Sequence, residues 1–271
     1  MKGCIKDYNY RPDKFNYFGG NPQKDLLLGI ELEVERTFKS SPGDYRENDK
    51  HASEILKILG NEHVYIKRSL SIEDGFKIVS HPATLEYHLS SIQWDYAFEY
   101  LTENNYYSEA SPTCSLHIHI NKNYLGDTPE EIVLTEEKLL YFFERHWNKL
   151  VLLSRREREE LWKYCLRRGH TNIIRALIKI EDKDGKPVPF AVNFNRKHSV
   201  EIRLFKGTLT YRTFVATLTL VDMITEYCKY RPIKSLVNWR KFEKFLWSGG
   251  DISATLIDYM EERQTWESSL K

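Results

Sequence analysis

Residues 26–35 read LLLGIELEVE, and within them Ile30, Leu32 and Val34 alternate with Glu31, Glu33 and Glu35. Successive side chains on a strand point to opposite faces, so this spacing predicts a strand with one buried apolar face and one face of carboxylates. The same design recurs twice. Residues 116–121, LHIHIN, set Leu116, Ile118 and Ile120 against His117 and His119. Residues 200–206, VEIRLFK, set Val200, Ile202 and Leu204 against Glu201 and Arg203. Three half-apolar strands need a covering layer, and the helical patterns elsewhere supply it. The reading is an α+β chain with helices packed on the apolar face of the sheet.

Around these strands the chain falls into three parts: an arm over 1–25, a main domain over 26–230 and a helical extension over 231–271. The arm is polar and aromatic, holds Pro12, Gly19, Gly20 and Pro22, and carries no catalytic pattern. In the main domain, a helix is expected over 52–59 and strands over 64–67 and 76–80. A helix starting near Pro82 should reach about residue 101. The apolar spacing of Leu139, Phe142, Phe143, Leu150 and Leu153 predicts a helix over 135–168, with the run SRREREE as its solvated face. Asp184-Gly185 reads as a hairpin turn leading to a strand over 190–195. Helices over 211–229, 234–247 and 253–263 finish the chain.

Hydrophobic residues make up 41% of the 271 and aromatics 13%, enough to build a core despite 29% charged residues. Lys and Arg number 40 against 39 Asp and Glu, so no net field draws polyanions, which argues against nucleic acid as a partner. Cys4, Cys114, Cys165 and Cys228 are scattered without a C-x-x-C pair, which suits reduced thiols, and Cys165 and Cys228 read as core filler. With no apolar signal region at the start and no bilayer-length run, the expected location is the cytoplasm and no membrane partner is expected.

The polar strand faces are where chemistry is expected. Glu is depleted in strands, yet Glu31, Glu33, His117, His119, Glu201 and Arg203 all fall on one side of the pattern. Each pair has a plain reading: an exposed amphipathic strand, two hydrogen-bonded histidines, a surface ion pair. Their joint occurrence favours a site. Carboxylates with an imidazole suit Mg²⁺ or Mn²⁺, which prefer oxygen ligands and keep waters for phosphate oxygens. An arginine beside them offers a planar fork for phosphate, so the set points to phosphoryl transfer. A zinc hydrolase built on His117 and His119 would need a further ligand and a base, and the other histidines follow no such pattern. There is no G-x-x-x-x-G-K-[ST] loop, so a nucleotide would be held by sheet side chains and loops.

The ordered motifs GIELEVE (29–35), GFKIVSHP (75–82), LHIHIN and AVNFNRKHSVEIRLFKGTL (191–209), preceded by the aromatic arm YNYRPDKF (8–15), resemble the amidoligase family, particularly its phage and plasmid-borne members. The resemblance runs from Tyr8 to about Asp222. It implies a glutamine-synthetase-like carboxylate-amine ligase core: a curved antiparallel sheet whose polar concave face holds ATP and a divalent ion. It also implies the reaction, in which ATP phosphorylates a small-molecule or peptide carboxylate and an amine opens the acyl phosphate to an amide. Carried over residue by residue, Glu31, Glu33, His117, His119 and Glu201 would hold Mg²⁺. Glu201, Arg203 and Arg155 would be catalytic, and Arg203, Arg156, Asn193 and Ser69 would contact the nucleotide.

The chain departs from the family pattern in three places. Lys67-Arg68-Ser69-Leu70 stands where Asp-Gly-Ser-Leu is usual, Lys77 where an acid is usual, and Ser115 where a glycine is usual. Lys77 puts a cation where a metal ligand is expected. The alternative function is therefore a catalytically degenerate amidoligase fold that binds a small molecule or a protein without turnover.

Overall fold

The computed structural model describes residues 3–37, 46–172 and 188–269. Strand β1, Leu28–Arg36, lies at the centre of a seven-stranded sheet built from the described residues. β3, Gly75–Ser80, pairs on one side of it and β5, Ser115–Asn121, on the other. The short β4, Tyr106–Tyr107, continues the β5 side at Glu35 and Arg36. β2, Val64–Lys67, lies outside β3, and β7, Ser199–Lys206, lies outside β5, with β6, Val192–Asn193, beyond it. Every pairing is antiparallel. The fold is thus α+β, as the strand patterns predict, with the antiparallel sheet that the resemblance implies.

Alternation works as the sequence suggests. Ile30, Leu32, Val34, Phe76, Ile78, Leu116, Ile118, Ile120, Val200, Ile202 and Leu204 are all fully buried on one face. Helices α1, Arg46–Leu59, and α3, Trp94–Glu103, join that core through residues such as Ile55, Trp94 and Phe98. Helix α7, Tyr211–Tyr230, is buried along most of its length, because α4, Pro129–Arg145, and α10, Asp251–Ser269, pack against it. A helix buried all round reads as apolar all round, and Phe214, Val215, Ala216, Leu218, Leu220 and Val221 fit that rule.

Several element boundaries differ from expectation. The helix expected from Pro82 to 101 is two, α2, Leu85–Ser90, and α3, with Thr84 capping the first by accepting from the Tyr87 amide. The break lets Trp94 turn inward, its ring 5.9 Å from Phe98 and 5.0 Å from Phe214. The helix expected over 135–168 is three: α4, then α5, Trp147–Ser154, and α6, Arg158–Tyr164. A Thr128–Glu131 capping box with Pro129 at the first turn starts α4 six residues early. Arg155, left-handed at φ 64°, ends α5. SRREREE is therefore divided: Arg156 is buried at a corner and Glu160 pairs with Lys206 at 2.7 Å, whereas Glu157, Arg158 and Glu159 are exposed where α6 begins. The strand expected over 190–195 shrinks to Val192–Asn193, and the Asp184-Gly185 turn lies outside the described residues. The 234–247 helix splits into α8, Ile233–Leu236, and α9, Trp239–Trp247, where Asn238 caps by accepting from the Arg240 amide.

The arm lies along the outer edge of β2. The Lys6 amide donates to Ile66 O at 2.8 Å, and the Arg68 amide donates to Lys6 O at 2.9 Å. Tyr10 meets Tyr65 edge-on at 5.4 Å, and Phe18 stacks on Tyr87 at 5.3 Å. These contacts satisfy an edge that would otherwise present unpaired backbone groups. Among the described residues no helix is long and apolar enough to cross a membrane.

Candidate functional site

The register of the sheet decides which polar residues meet. Glu33 on β1 stands opposite Lys77 on β3, Glu31 opposite His117 on β5, and His119 opposite Glu201 on β7. Between Leu116 and Ile118 the β5–β7 register shifts by one residue, so that Arg203 and Leu204 together oppose His117. A bulge of this kind re-aims side chains. Glu31, Glu33, Lys77, His117, His119, Glu201 and Arg203 all line one cleft of about 720 Å³. Its walls come from Tyr65, Lys67, Ser69 and Ser71 at the β2 end, from Arg196, Lys197 and His198 before β7 and Ser199 at its start, and from Tyr8, Asn9, Arg11 and Phe15 of the arm.

Each carboxylate in the cleft already has partners. Glu31 Oε2 lies 2.8 Å from Lys77 Nζ and 3.6 Å from His117 Nδ1, while Oε1 lies 3.4 Å from His119 Nε2. Glu33 Oε1 accepts from the hydroxyls of Ser69 at 2.6 Å and Ser71 at 2.9 Å, and Oε2 accepts from the Ser115 amide at 3.1 Å. Glu201, with no exposed surface, accepts from Arg203 Nη1 at 2.8 Å, Arg196 Nε at 2.9 Å and Asn193 Nδ2 at 2.9 Å. Burial by itself would raise all three carboxyl pKa values. For Glu31 the Lys77 ammonium and the two imidazoles overcome it and hold the group well below the usual range. Lys77, His117 and the Ser69 and Ser71 hydroxyls also overcome burial to lower the pKa of Glu33, and the two histidines with Arg203 and Arg196 lower that of Glu201. Burial would likewise strip Lys77 of its proton, but Glu31 and Glu33 reverse this and raise its pKa. His117 goes the other way: burial, with Arg203 and Lys77 nearby, pushes it down to about 4 against the pull of Glu31 and Glu201.

The five residues to which the resemblance gives a divalent ion are thus close together, but the donor set does not fit one. Among the described residues no three His, Cys, Asp or Glu side chains form a group that could hold a metal ion. The physical reason is Lys77, whose ammonium sits between Glu31 and Glu33 at 2.8 and 3.4 Å. The oxygens of Glu33 and Glu201 are meanwhile spent on hydroxyl, amide and guanidinium donors.

The other expected residues separate. Ser69 and Arg203 line the cleft. Asn193 and Arg156 stand behind it, Asn193 holding Glu201 and Arg156 donating from Nη2 to Ser115 Oγ at 2.6 Å and to Phe205 O at 3.2 Å. Arg155 is not among the lining residues. It donates to the carbonyls of Lys206 at 2.6 Å and Gly207 at 3.1 Å, and so ties the α5 corner to the end of β7. Glu35 shares the polar face but is held by Ser111 at 2.9 Å and does not line the cleft. The arm, which carries no catalytic pattern in the sequence, lies on the domain and brings Tyr8 and Arg11 to the cleft wall. An arginine among aromatic residues, as in YNYRPDKF, was the available signal.

Comparison with family models finds no match, and comparison with curated proteins finds none either. Among solved structures, the complex between the prokaryotic ubiquitin-like protein Pup and its ligase PafA is similar over 90% of this chain and 65% of that one, at 8% identity and a TM-score of 0.46. The chain spans less than two thirds of that neighbour's length, and a likeness at this score carries no argument about chemistry.

Proposed function

We propose that the cleft binds a phosphorylated or carboxylated small molecule on an amidoligase-type scaffold, with ATP as the nucleotide that the motif order implies. The supporting observation is the charge lining the cleft: three carboxylates, Glu31, Glu33 and Glu201, stand among Lys67, Lys77, Arg11, Arg196, Lys197 and Arg203. The carboxylates are neutralised internally, which leaves surplus positive charge facing the cavity. Lys67 registers that surplus: burial, together with Lys77, Arg11 and Arg196, lowers its pKa despite the opposing pull of Glu31. An anion would relieve this repulsion, and Arg203 would offer it a planar fork. The volume lies in the range of small-molecule pockets, roughly 300–1,000 Å³.

A second reading adds turnover, and the Glu31–His119 pair favours it. In a carboxylate-amine ligase the substrate carboxylate attacks the terminal phosphorus of ATP, the bond to ADP breaks, and an amine then displaces phosphate from the acyl phosphate. The amine must give up a proton, and the His119 imidazole, which lines the cleft with Nε2 3.4 Å from Glu31 Oε1, is placed to accept it. Arg203 and Lys67 would carry the charge on the transferred group. No step is assigned to a divalent ion, since the described residues do not compose a site for one.

The test is to incubate purified protein with ATP, mixed amino acids, polyamines and a metabolite extract, and to follow ADP, AMP and phosphate beside Arg203→Ala. Binding without turnover supports the first reading, and Arg203-dependent turnover the second. Failure to bind any phosphorylated compound would remove both.

A further inference from the structure

We infer that Lys77 is a built-in cation: its ammonium fills the place between Glu31 and Glu33 that a divalent ion would take, so the chain neutralises its own carboxylates and excludes a metal. This goes beyond the reading of the ligand and rests only on the geometry of the sheet. Lys77 lies on β3, one strand from the centre, and the register sets it directly across from Glu33. It is 7% exposed, and its Nζ reaches Glu31 Oε2 at 2.8 Å and Glu33 Oε1 at 3.4 Å. A lysine this deep persists because it is paired, and the two carboxylates persist for the same reason.

A second observation marks the same spot as a place for a cation. His117 is 5% exposed, and its Nδ1 has no hydrogen-bond partner. That nitrogen lies 3.6 Å from Glu31 Oε2 and 3.6 Å from Glu201 Oε1. A buried imidazole nitrogen facing two carboxylates from different strands is the remainder of a donor set whose centre the ammonium occupies. Replacing Lys77 by a neutral side chain of similar length would leave Glu31 and Glu33, neighbours on the same face of β1, without that counter-charge. A hard divalent ion with oxygen donors and retained waters is the ligand such a site would draw.

The experiment uses Mn²⁺ alone as the probe, followed by its electron paramagnetic resonance signal and by thermal unfolding, on wild type, Lys77→Gln, Glu31→Gln and the double variant. Wild type should bind Mn²⁺ no more tightly than Glu31→Gln. Lys77→Gln should bind it at least about tenfold more tightly, the scale on which ligand-shell changes act. The gain should vanish in the double variant, and Mn²⁺ should raise the unfolding temperature of Lys77→Gln alone, as binding to the folded state requires. A folded Lys77→Gln with wild-type Mn²⁺ affinity would overturn the inference. If Lys77→Gln does not fold, wild type still decides: Mn²⁺ binding lost on Glu31→Gln would show that the ammonium yields to a metal and overturn it, whereas absence of such binding supports it.

Discussion

Arg196 reaches from the turn before β7 to place its Nε 2.9 Å from Oε2 of Glu201, five residues later and fully buried. With Arg203 on the other oxygen and Asn193 beside it, Glu201 anchors the end of the sheet as well as one side of the cleft. Glu201→Gln should therefore destabilise the fold by about 3 kcal/mol, the lower end of the range for breaking a buried pair, because Arg196 still reaches water. Urea unfolding would measure this. A loss under about 0.5 kcal/mol, typical of surface sites, would show that the carboxylate serves the cleft alone.

Acid should weaken the fold before the carboxylates titrate. Burial pushes His88 down to about 4 despite its hydrogen bond to Leu28 O, and His117 also to about 4. The unfolded chain takes up these protons near pH 6.5, whereas the folded chain does not until about pH 4. The stability gained from keeping both rings neutral is present above 6.5 and is lost as pH falls toward 4. Each group contributes a slope approaching about 1.4 kcal/mol per pH unit in that window. Denaturation midpoints at several pH values should fall accordingly, and His88→Asn should flatten the decline. A midpoint constant from pH 7 to pH 4.5 would contradict the assignment.

Asp222 acts with the opposite sign. Burial, then the neighbouring Glu226, raises its pKa to about 7. The stability from its protonated form is complete below the unfolded value near 4 and is lost as pH rises through 7. Between pH 5 and pH 8.5 Asp222→Asn should gain on wild type by on the order of 3 kcal/mol, since wild type loses about 1.4 kcal/mol per pH unit up to the folded value near 7. Thermal unfolding at the two pH values separates these outcomes.

Two arginines that look alike in the sequence should differ in effect. Arg155 is tied to the carbonyls of Lys206 and Gly207, so Arg155→Ala should lower stability by about 2 kcal/mol, as expected for losing hydrogen bonds from a charged group. It should leave ligand affinity unchanged in the folded protein. Arg11, exposed on the arm and lining the cleft, should show the reverse: stability within about 0.5 kcal/mol of wild type, and an affinity for a phosphorylated ligand about tenfold weaker. Paired unfolding and calorimetric titrations would check both.

The strands were legible because alternation is a local signal: Ile30, Leu32 and Val34 face the core and the intervening glutamates do not. That several of the polar residues would meet also followed from the pattern, since antiparallel neighbours share faces. What each one does there did not follow. Partners of Glu33 such as Ser69, Ser71 and the Ser115 amide depend on pairings across three segments, and no spacing in the sequence encodes them. Arg155 was assigned by resemblance alone, and nothing in the charged run signals the left-handed turn that directs its side chain to the carbonyls of Lys206 and Gly207. That the arm reaches the cleft had only the arginine among aromatic residues in YNYRPDKF as its signal, since residues without periodicity do not show which surface they cover.

Calorimetric titration of ATP into the wild-type chain in the presence of EDTA, repeated with Arg203→Ala, tests whether the polar sheet face binds anions. Saturable binding without divalent ion is expected, weakened at least about tenfold by the substitution, in line with the loss of a charged hydrogen bond to phosphate. Absence of binding, or binding that Arg203→Ala leaves unchanged, would contradict the assignment of the polar sheet face as an anion-binding cleft.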